Sequence, residues 1–434
     1  MTISPTTPAG GTGEQSDEGG PEAAAARPGL LRIADFRRLW IGDTVSQAGT
    51  AVTLLALPLV AIGTLGASPF EAGLLVACEY LGFLLLGLPA GAWVDRMRRL
   101  RVMITGDLGR AVLLASVPAA ALLDVLTLPQ LYVVAFGVSV CTAFFDIAYQ
   151  SHLPQLVDED RLVEANVALE ATRTITAAGG PGAGGALVGA LTAPVAIVVD
   201  AVSFVVSAAF LARIRGGRAD AAPESRPGVR LRGEIAEGLR FVFGHPLLRA
   251  LTLTSAISNL CGTIGASMLL VLLAGELGLS PFLCGLVFTA EALGGFLGSL
   301  LTLRIAGRFG QERAMAASVI TSGLLWLLAL PFFQADWRFA VAVALQGLGW
   351  TAFMTFKVTS VALRQRLCPP PLLGRMTATF RFVVWGSMPV GALLGGLLGQ
   401  HLGARSALWA GALGELLAVL PLLLSLRGPR EHAE

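Results

Sequence analysis

Long apolar stretches separated by short polar loops dominate the chain from residue 39 onward. Each stretch has about the 20 residues that an α-helix needs to cross the hydrocarbon core of a bilayer. The pattern predicts twelve transmembrane helices, near residues 40–65, 70–94, 102–123, 130–151, 166–190, 193–212, 250–274, 281–303, 314–334, 337–360, 376–400 and 406–426. We therefore predict an all-α membrane protein.

Composition agrees with the pattern. Of the 434 residues, 54% are hydrophobic and 14% are charged, whereas soluble domains carry about 25% charged residues. The formal net charge of +2 gives no reason to expect a nucleic-acid partner. The five cysteines and four histidines are scattered singly, and no phosphate-binding GxxxxGK[ST] motif occurs, so we expect no metal site and no cofactor.

Arginines are concentrated in alternate loops. Since short cytoplasmic loops carry an excess of Lys and Arg, this asymmetry places both termini in the cytoplasm and requires an even number of spans. The opposite loops hold only Arg338 and Arg405. The arginine-rich loops hold Arg37, Arg38, Arg96, Arg98, Arg99, Arg101, Arg161, Arg304, Arg308, Arg313, Arg364, Arg366 and Arg375.

Polar segments divide the chain. Residues 1–28 are rich in Pro, Gly, Thr and acidic residues and predict a disordered tail. Residues 213–249 carry eight arginines and predict a cytoplasmic linker with an amphipathic stretch, which would anchor to anionic lipid headgroups. We expect this linker to join two six-helix bundles, residues 29–212 and 250–426, and a short tail, 427–434, to follow.

An internal repeat supports two bundles. At an offset of 212 residues, the segment Ser68–Phe70 matches Ser280–Phe282, and Glu79 matches Glu291, without a gap. Two parallel repeats of six helices are expected to enclose a binding site near the middle of the membrane, which opens to either side as one repeat rocks against the other.

The loop after the second predicted helix contains Gly91, Asp95, Arg96 and Arg99. These residues resemble the G-x-L-A-D-R-x-G-R-R signature of the major facilitator superfamily, with Arg98 in place of its second glycine. A carboxylate here can bond neighbouring helix ends and Arg side chains in one conformation only, so Asp95 would latch the outward-facing state. The alternative is a solvated basic loop that obeys the positive-inside rule.

The fifth predicted helix contains Gly180, Pro181, Gly184 and Gly185. The run is similar to the GPxxGG core of the motif typical of exporters in the same superfamily, and close packing of small residues is the alternative interpretation. Four further segments are FRRLW at the first predicted helix, FFDIAYQSHLPQLV before the fifth, GLRFVFGHPLLR before the seventh and LLGRM before the eleventh. They resemble the branch of the enterobactin exporter and the macrolide efflux permeases, and the resemblance covers about residues 30–426. That resemblance implies export of an amphipathic metabolite or drug in exchange for protons.

Ionisable residues inside apolar stretches are functional candidates, because a charge at mid-membrane costs about 2.5 to 3.5 kcal/mol. Glu79 and Glu291 lie halfway along equivalent helices and are the first candidates for proton coupling or substrate binding. A carboxyl group in a poorly hydrated site can take up a proton on one side and release it on the other, or it is simply kept protonated. Asp43, Asp146 and Lys357 follow, and the last two could pair across the cavity.

Two further sets of residues have a structural interpretation beside the functional one. Asp107 with Arg110, and Glu170 with Arg173, have i, i+3 spacing and are expected to neutralise each other. Aromatic residues concentrate on the fourth, tenth and eleventh predicted helices and could line an apolar cavity. They are Phe136, Phe144, Phe145, Trp350, Phe353, Phe356, Phe380, Phe382 and Trp385.

The sequence as a whole predicts a proton-coupled antiporter of the inner membrane, which exports an amphipathic small molecule by alternating access. We expect it to act as a monomer and not to be an enzyme. A lysophospholipid or nutrient permease on the same scaffold is the alternative within transport. A membrane-embedded sensor that transports nothing is the alternative from another class.

Overall fold

The computed structural model describes residues 30–94, 96–215 and 231–427, and in these residues the regular structure is entirely helical. The predicted N-terminal tail, Asp95, the middle of the predicted linker and the C-terminal tail lie outside the described residues. The α-helices are α1 Ala34–Leu59, α2 Pro69–Val94, α3 Arg99–Leu122, α4 Leu128–Leu156, α5 Leu162–Leu191, α6 Ala193–Leu211, α7 Leu231–Gly244, α8 Pro246–Leu270, α9 Pro281–Phe309, α10 Gln311–Ala329, α11 Arg338–Leu367, α12 Leu373–Leu402, α13 Ala404–Leu417 and α14 Leu420–Arg427.

Helix length and composition confirm an all-α membrane protein. Among the described residues, eleven segments are long and apolar enough to cross a membrane. α13 and α14 together form one of them, and α5 is not among them. α5 is nevertheless 30 residues long. Its hydropathy is lower because Glu164, Glu170 and Arg173 lie in its first half and its second half is rich in glycine.

Helices α1 to α6 form a first group and helices α8 to α14 a second group with the same packing. In the first group, α1 packs on α5 and α6, α3 packs on α4 and α6, and α2 packs on α4. In the second group, α8 packs on α12 and α13, α10 packs on α11 and α13, and α9 packs on α11. A π-helical turn follows the first helix of each group, at Val60–Thr64 and at Val271–Glu276. The internal repeat of the sequence therefore corresponds to a repeat in packing.

Two seams, α2 against α12 and α5 against α9, join the groups. Both lie at the end of the molecule opposite the arginine-rich loops. Glycines allow the paired helices to approach each other closely there. A Cβ atom at Gly73 would lie closer than 3.0 Å to the backbone of Ala392 and Gly396, and one at Gly285 would lie as close to the Pro181 carbonyl oxygen. Because side chains cannot fit there, the backbones of the two groups touch directly.

The buried apolar residues show which end is open. At the end that the seams close, one cluster crosses both groups and includes Leu55, Leu131 and Leu269. Towards the arginine-rich end, the clusters are separate, one around Phe36 in the first group and one around Met315 in the second. A cleft therefore divides the two groups at the arginine-rich end.

The helix in the predicted linker, α7, packs on α12. Val242 is buried in this contact together with Cys368 and Met376. Glu237 forms an ion pair with Arg375 at 2.5 Å. In this structure, the C-terminal part of the linker is thus a helix attached to the second group.

Candidate functional site

A cavity of about 930 Å³ lies between the two groups, bordered by helices α1 to α6, α8, α11 and α12. Its lining reaches from Leu57, near the closed end, to Arg364, Gln365 and Met376, near the arginine-rich end. The cavity thus opens through the cleft at the arginine-rich end and stops below the two seams.

The first group contributes a wall in which acids and arginines alternate. Asp43, Asp146, Asp200, Arg110 and Arg173 line the cavity. Electrostatic interactions connect Asp43 with Arg173 and Asp146, and Asp146 with Arg110. Glu170 is exposed and forms no ion pair with Arg173 among the described contacts, so the pair expected from their spacing is not formed.

Arg110 is the centre of this wall. It forms an ion pair with the fully buried Asp107, as its spacing predicts. Its guanidinium carbon lies 4.1 Å from the ring centroid of Phe204 and 4.5 Å from that of Phe145. Two aromatic faces and one carboxylate therefore hold a cation at the cavity surface, where burial alone would be costly.

Asp200 belongs to the same wall, although the sequence-based prediction missed it. It is 1% exposed and accepts a hydrogen bond from the Ser203 hydroxyl at 3.1 Å. A Cβ atom at Gly49 would lie within 3.0 Å of this carboxylate and of Ser203, so a glycine on α1 makes room for them. The signal available was a single acid in the middle of an otherwise apolar stretch.

The second group contributes a basic wall made of Lys357, Arg364 and Arg381. The guanidinium carbon of Arg364 lies 3.2 Å from the ring centroid of Phe380, and its Nε donates a hydrogen bond to the Ser360 carbonyl oxygen at 3.2 Å. Lys357 forms no ion pair with any residue that the structure describes. Asp146 and Lys357 line the same cavity from opposite walls without forming the predicted pair in this conformation.

Glu79 and Glu291 occupy the same position in their helices, the eleventh residue of α2 and of α9. Their surroundings differ. Glu79 lines the central cavity beside Tyr80 and Phe83. Glu291 lines a second cavity of about 270 Å³ in the second group, where the Gln346 amide donates a hydrogen bond to it at 2.9 Å.

Several of the predicted aromatic residues do line the central cavity, namely Phe145, Phe353, Phe356, Phe380 and Trp385. The ring centroids of Phe83 and Trp385, from opposite groups, are 4.4 Å apart. Phe144 instead stacks on Trp93 at 6.1 Å, and Phe382 is 49% exposed. The central cavity therefore combines one wall of acids and arginines, one basic wall and aromatic surface.

The described residues of the two sequence motifs are not among those that line the central cavity. Arg99 donates a hydrogen bond to the Ser151 carbonyl oxygen at 3.1 Å, which ties the start of α3 to the end of α4. Arg96 is exposed. Asp95, the proposed latch, lies outside the described residues, as do the surroundings of Gly91.

The motif of α5 lies where three helices meet. Cβ atoms at Gly180 and Gly184 would lie within about 3.0 Å of Ala51 on α1, and one at Gly185 would lie within 3.0 Å of the Pro281 carbonyl on α9. Pro181 is buried, and its carbonyl faces Gly285. The motif thus supplies close packing on both sides of α5, within its own group and across the seam.

Comparison with known proteins identifies relatives over nearly the whole chain. Residues 26–434 match the family model described as transmembrane secretion effector. The multidrug efflux pump Tap of Mycolicibacterium fortuitum is 28% identical over 382 residues, which are 85% of this chain and 90% of that protein. Macrolide efflux protein A of Streptococcus pyogenes is 24% identical over 376 residues, again 85% and 90% of the two chains.

Solved structures share the fold. A bacterial homologue of the iron transporter ferroportin in its inward-facing state has a TM-score of 0.75 at 19% identity, over 92% of this chain and 100% of that one. The nucleoside transporter NupG has a TM-score of 0.70 at 12% identity, over 91% and 99%. At these identities, the likeness concerns the fold alone.

Proposed function

Because this chain belongs to the transmembrane secretion effector family of major facilitator transporters, we propose that it exports an amphipathic small molecule from the cytoplasm in exchange for protons. The central cavity is the observation that carries this proposal. It is large enough for a drug-sized molecule, it opens at one end only, and its walls offer both charge and aromatic surface. Helices of one chain enclose it, which supports a monomer as the transport unit.

The distribution of arginines orients the molecule. Loops rich in arginine face the cytoplasm in membrane proteins, and the cleft opens at that end. The conformation described here is therefore open to the cytoplasm and ready to receive a substrate from it. In this orientation, both termini are cytoplasmic and the glycine seams close the outer side of the cell membrane.

Alternating access requires the cleft to close as the seams part. The first wall carries more acids than arginines and the second wall is basic. These charges favour closure, because they attract each other. Asp146 already interacts electrostatically with Arg381, and Glu170 interacts with Lys357. Asp95 would add a latch at the same end in the outward-open state.

Glu79 is the best candidate for coupling export to protons. It is a carboxyl group on the cavity surface, and among the described residues it has no basic partner within ion-pair distance. Protonation from outside would neutralise it, and release of the proton inside would restore the charge. One proton that moves down about 150 mV yields roughly 3.5 kcal/mol, which sustains a concentration gradient of a few hundredfold.

The relatives support the substrate class. Tap is named a multidrug efflux pump and the streptococcal relative a macrolide efflux protein. An amphipathic molecule suits the central cavity here because aromatic faces such as Phe353 and Trp385 bury its apolar part. Polar groups of the same molecule meet the charged walls.

The test is efflux from cells or uptake into everted membrane vesicles, measured with amphipathic dyes beginning with ethidium. The pH-driven flux of the Glu79→Gln variant is expected to be at least about tenfold lower than that of the wild type, since the uncharged amide cannot exchange a proton. Glu71→Gln is the matched control, because Glu71 lies on the same helix, caps its first turn through Ser68 and does not line the cavity.

Flux through the wild type that a pH gradient does not accelerate would refute the proton exchange. Flux through Glu79→Gln equal to that of the wild type would remove Glu79 from the coupling mechanism. Accumulation in the direction opposite to export would refute the proposed function itself.

A further inference from the structure

The second cavity adjoins the central one but lies inside the second group of helices. The two cavities share Tyr80, Asn259, Phe353 and Met388 as a common boundary. Beyond that boundary, the second cavity is lined by α8, α9, α10, α11 and α13. A molecule in the central cavity could therefore extend one of its ends into this side chamber.

A carboxylate without a counter-ion lies in the side chamber. Glu291 accepts a hydrogen bond from the neutral amide of Gln346 at 2.9 Å. None of the described residues that line the chamber is a lysine, an arginine or a histidine. Glu291 therefore differs from Asp107 and Asp146 of the first group, which interact with arginines, because the chamber itself provides no cation to compensate its charge.

Aromatic rings face the same space. The centroids of Trp326 and Trp350 are 5.9 Å apart, and those of Trp350 and Phe353 are 5.3 Å apart with the rings nearly perpendicular. Trp326 packs so closely on Gly349 that a Cβ atom there would overlap its indole ring. The backbone of α11 thus fixes one of the rings.

We propose that the side chamber is a binding site for an organic ammonium ion, one whose charged end has about the bulk of a trimethylammonium group. Glu291 provides the opposite charge, and the faces of Trp326, Trp350 and Phe353 provide cation–π attraction. A bound metal ion does not fit these residues, because no cluster of three or more His, Cys, Asp or Glu side chains occurs in the described structure. The apolar remainder of the ligand would lie in the central cavity.

Only the statement that this ligand is transported rests on the proposed function. Binding to the chamber is a separate property that requires no gradient. It is tested on the purified full-length protein in lipid nanodiscs, with phenyltrimethylammonium as the probe and its uncharged isostere tert-butylbenzene for comparison. Calorimetry reports the affinity, and quenching of tryptophan fluorescence reports contact with the indoles.

Glu291→Gln is expected to weaken binding of phenyltrimethylammonium by at least about tenfold, since it removes the charge and keeps an oxygen for Gln346. Glu71→Gln is the control for loss of a carboxyl group elsewhere. Monodisperse elution and an unchanged unfolding temperature establish that each variant is folded.

Gly262 permits a second, independent variant. It lines the chamber, and a Cβ atom there would meet open space. Gly262→Leu should therefore fill the chamber without displacing a helix and abolish binding of the probe. The matched control is Gly189→Leu, because Gly189 is exposed on α5 and also has open space around it.

Loss of binding in both chamber variants, with wild-type affinity in both controls, supports the inference. Equal affinity of Glu291→Gln and the wild type overturns it, and so does equal or tighter binding of tert-butylbenzene. A wild type that binds the probe but exports nothing would contradict the proposed function and leave the chamber as a cation site.

Discussion

The two groups of helices pack in the same way but arrange their charges differently. In the first group, Asp107 and Arg110 form a buried pair, and Asp43, Asp146 and Arg173 interact around them. In the second group, the basic and the acidic residues lie in different places. Lys357, Arg364 and Arg381 form one wall of the central cavity, whereas Glu291 lies in the side chamber and Glu415 is buried behind it.

This difference separates two uses of a charge within a membrane. A charge that is compensated inside its own group stabilises that group and depends on its partner. A charge without an internal partner is available to a substrate, to a proton or to the opposite wall. The two halves therefore share the helix packing and the position of Glu79 and Glu291 in their helices, while the surroundings of their ionisable residues differ.

The largest effect on stability is expected from Arg110→Ala. It would leave Asp107 buried without its cation, at a cost of about 3 kcal/mol in the free energy of unfolding. Denaturant unfolding in detergent measures the loss. Lys357→Ala is the matched control in the second group and should change stability by less than about 0.5 kcal/mol, because Lys357 has no ion pair among the described residues. Equal losses of stability in the two variants would contradict the difference between the two groups.

The second effect concerns the seam between the groups rather than their charges. Gly285→Leu inserts a side chain against the Pro181 carbonyl and should destabilise the closed seam by about 1 to 3 kcal/mol. Spin labels at residues 64 and 275, on the two π-helical turns, should then report longer distances. Gly189→Leu on α5, the partner helix of α9 in this seam, should leave them unchanged. An unaltered distance in Gly285→Leu would show that the seam does not set the closed end.

A smaller effect is expected at the buried acid of the second group. Glu415 accepts a hydrogen bond from the Ser322 hydroxyl at 3.3 Å, without a basic partner among the described residues. Glu415→Gln keeps an acceptor in place, so the free energy of unfolding should change by less than about 1 kcal/mol. A loss as large as that of Arg110→Ala would mean that Glu415 has a charged partner and that the two groups are more alike than described.

A similarly small effect is expected from Thr289→Val. The Thr289 hydroxyl accepts a hydrogen bond from the Gly182 amide across the α5–α9 seam at 3.1 Å. Loss of this bond from an almost isosteric side chain should cost about 0.5 to 1 kcal/mol. The same pair of spin labels would show a minor population with longer distances. A shift in distance as large as that of Gly285→Leu would show that this hydrogen bond, rather than the close packing of the backbones, keeps the seam closed.

Much of the fold could be predicted from the sequence. Apolar length predicts the helices, and the match of Ser68–Phe70 with Ser280–Phe282 predicts the repeat. The helices extend beyond the apolar stretches, as α4 does from the predicted 130–151 to 128–156, because a helix continues where its polar end leaves the hydrocarbon. The seams could not be predicted, since contacts between helices more than 100 residues apart leave no local pattern.

The candidate site was predicted less completely. Glu79, Asp43, Asp146 and Lys357 do line the central cavity, because charged residues in apolar helices tend to face water-filled space. Glu291 does not, although it is the repeat equivalent of Glu79. Its neighbours on α10 and α11 form a separate chamber. The tertiary packing that creates this chamber cannot be seen in an alignment of the two sequence repeats.

The glycine seams also have an entropic consequence. Where backbone lies on backbone, as at Gly73 and Gly396, no side-chain rotamers are lost when the seam end closes. The opposite end is lined by long side chains such as Arg364, Gln365 and Arg381, and closing it would restrict them at up to about 2 kcal/mol each. Rotamer freedom alone therefore favours the conformation in which the cleft faces the arginine-rich side, and in the proposed transport cycle substrate or protons would supply the difference.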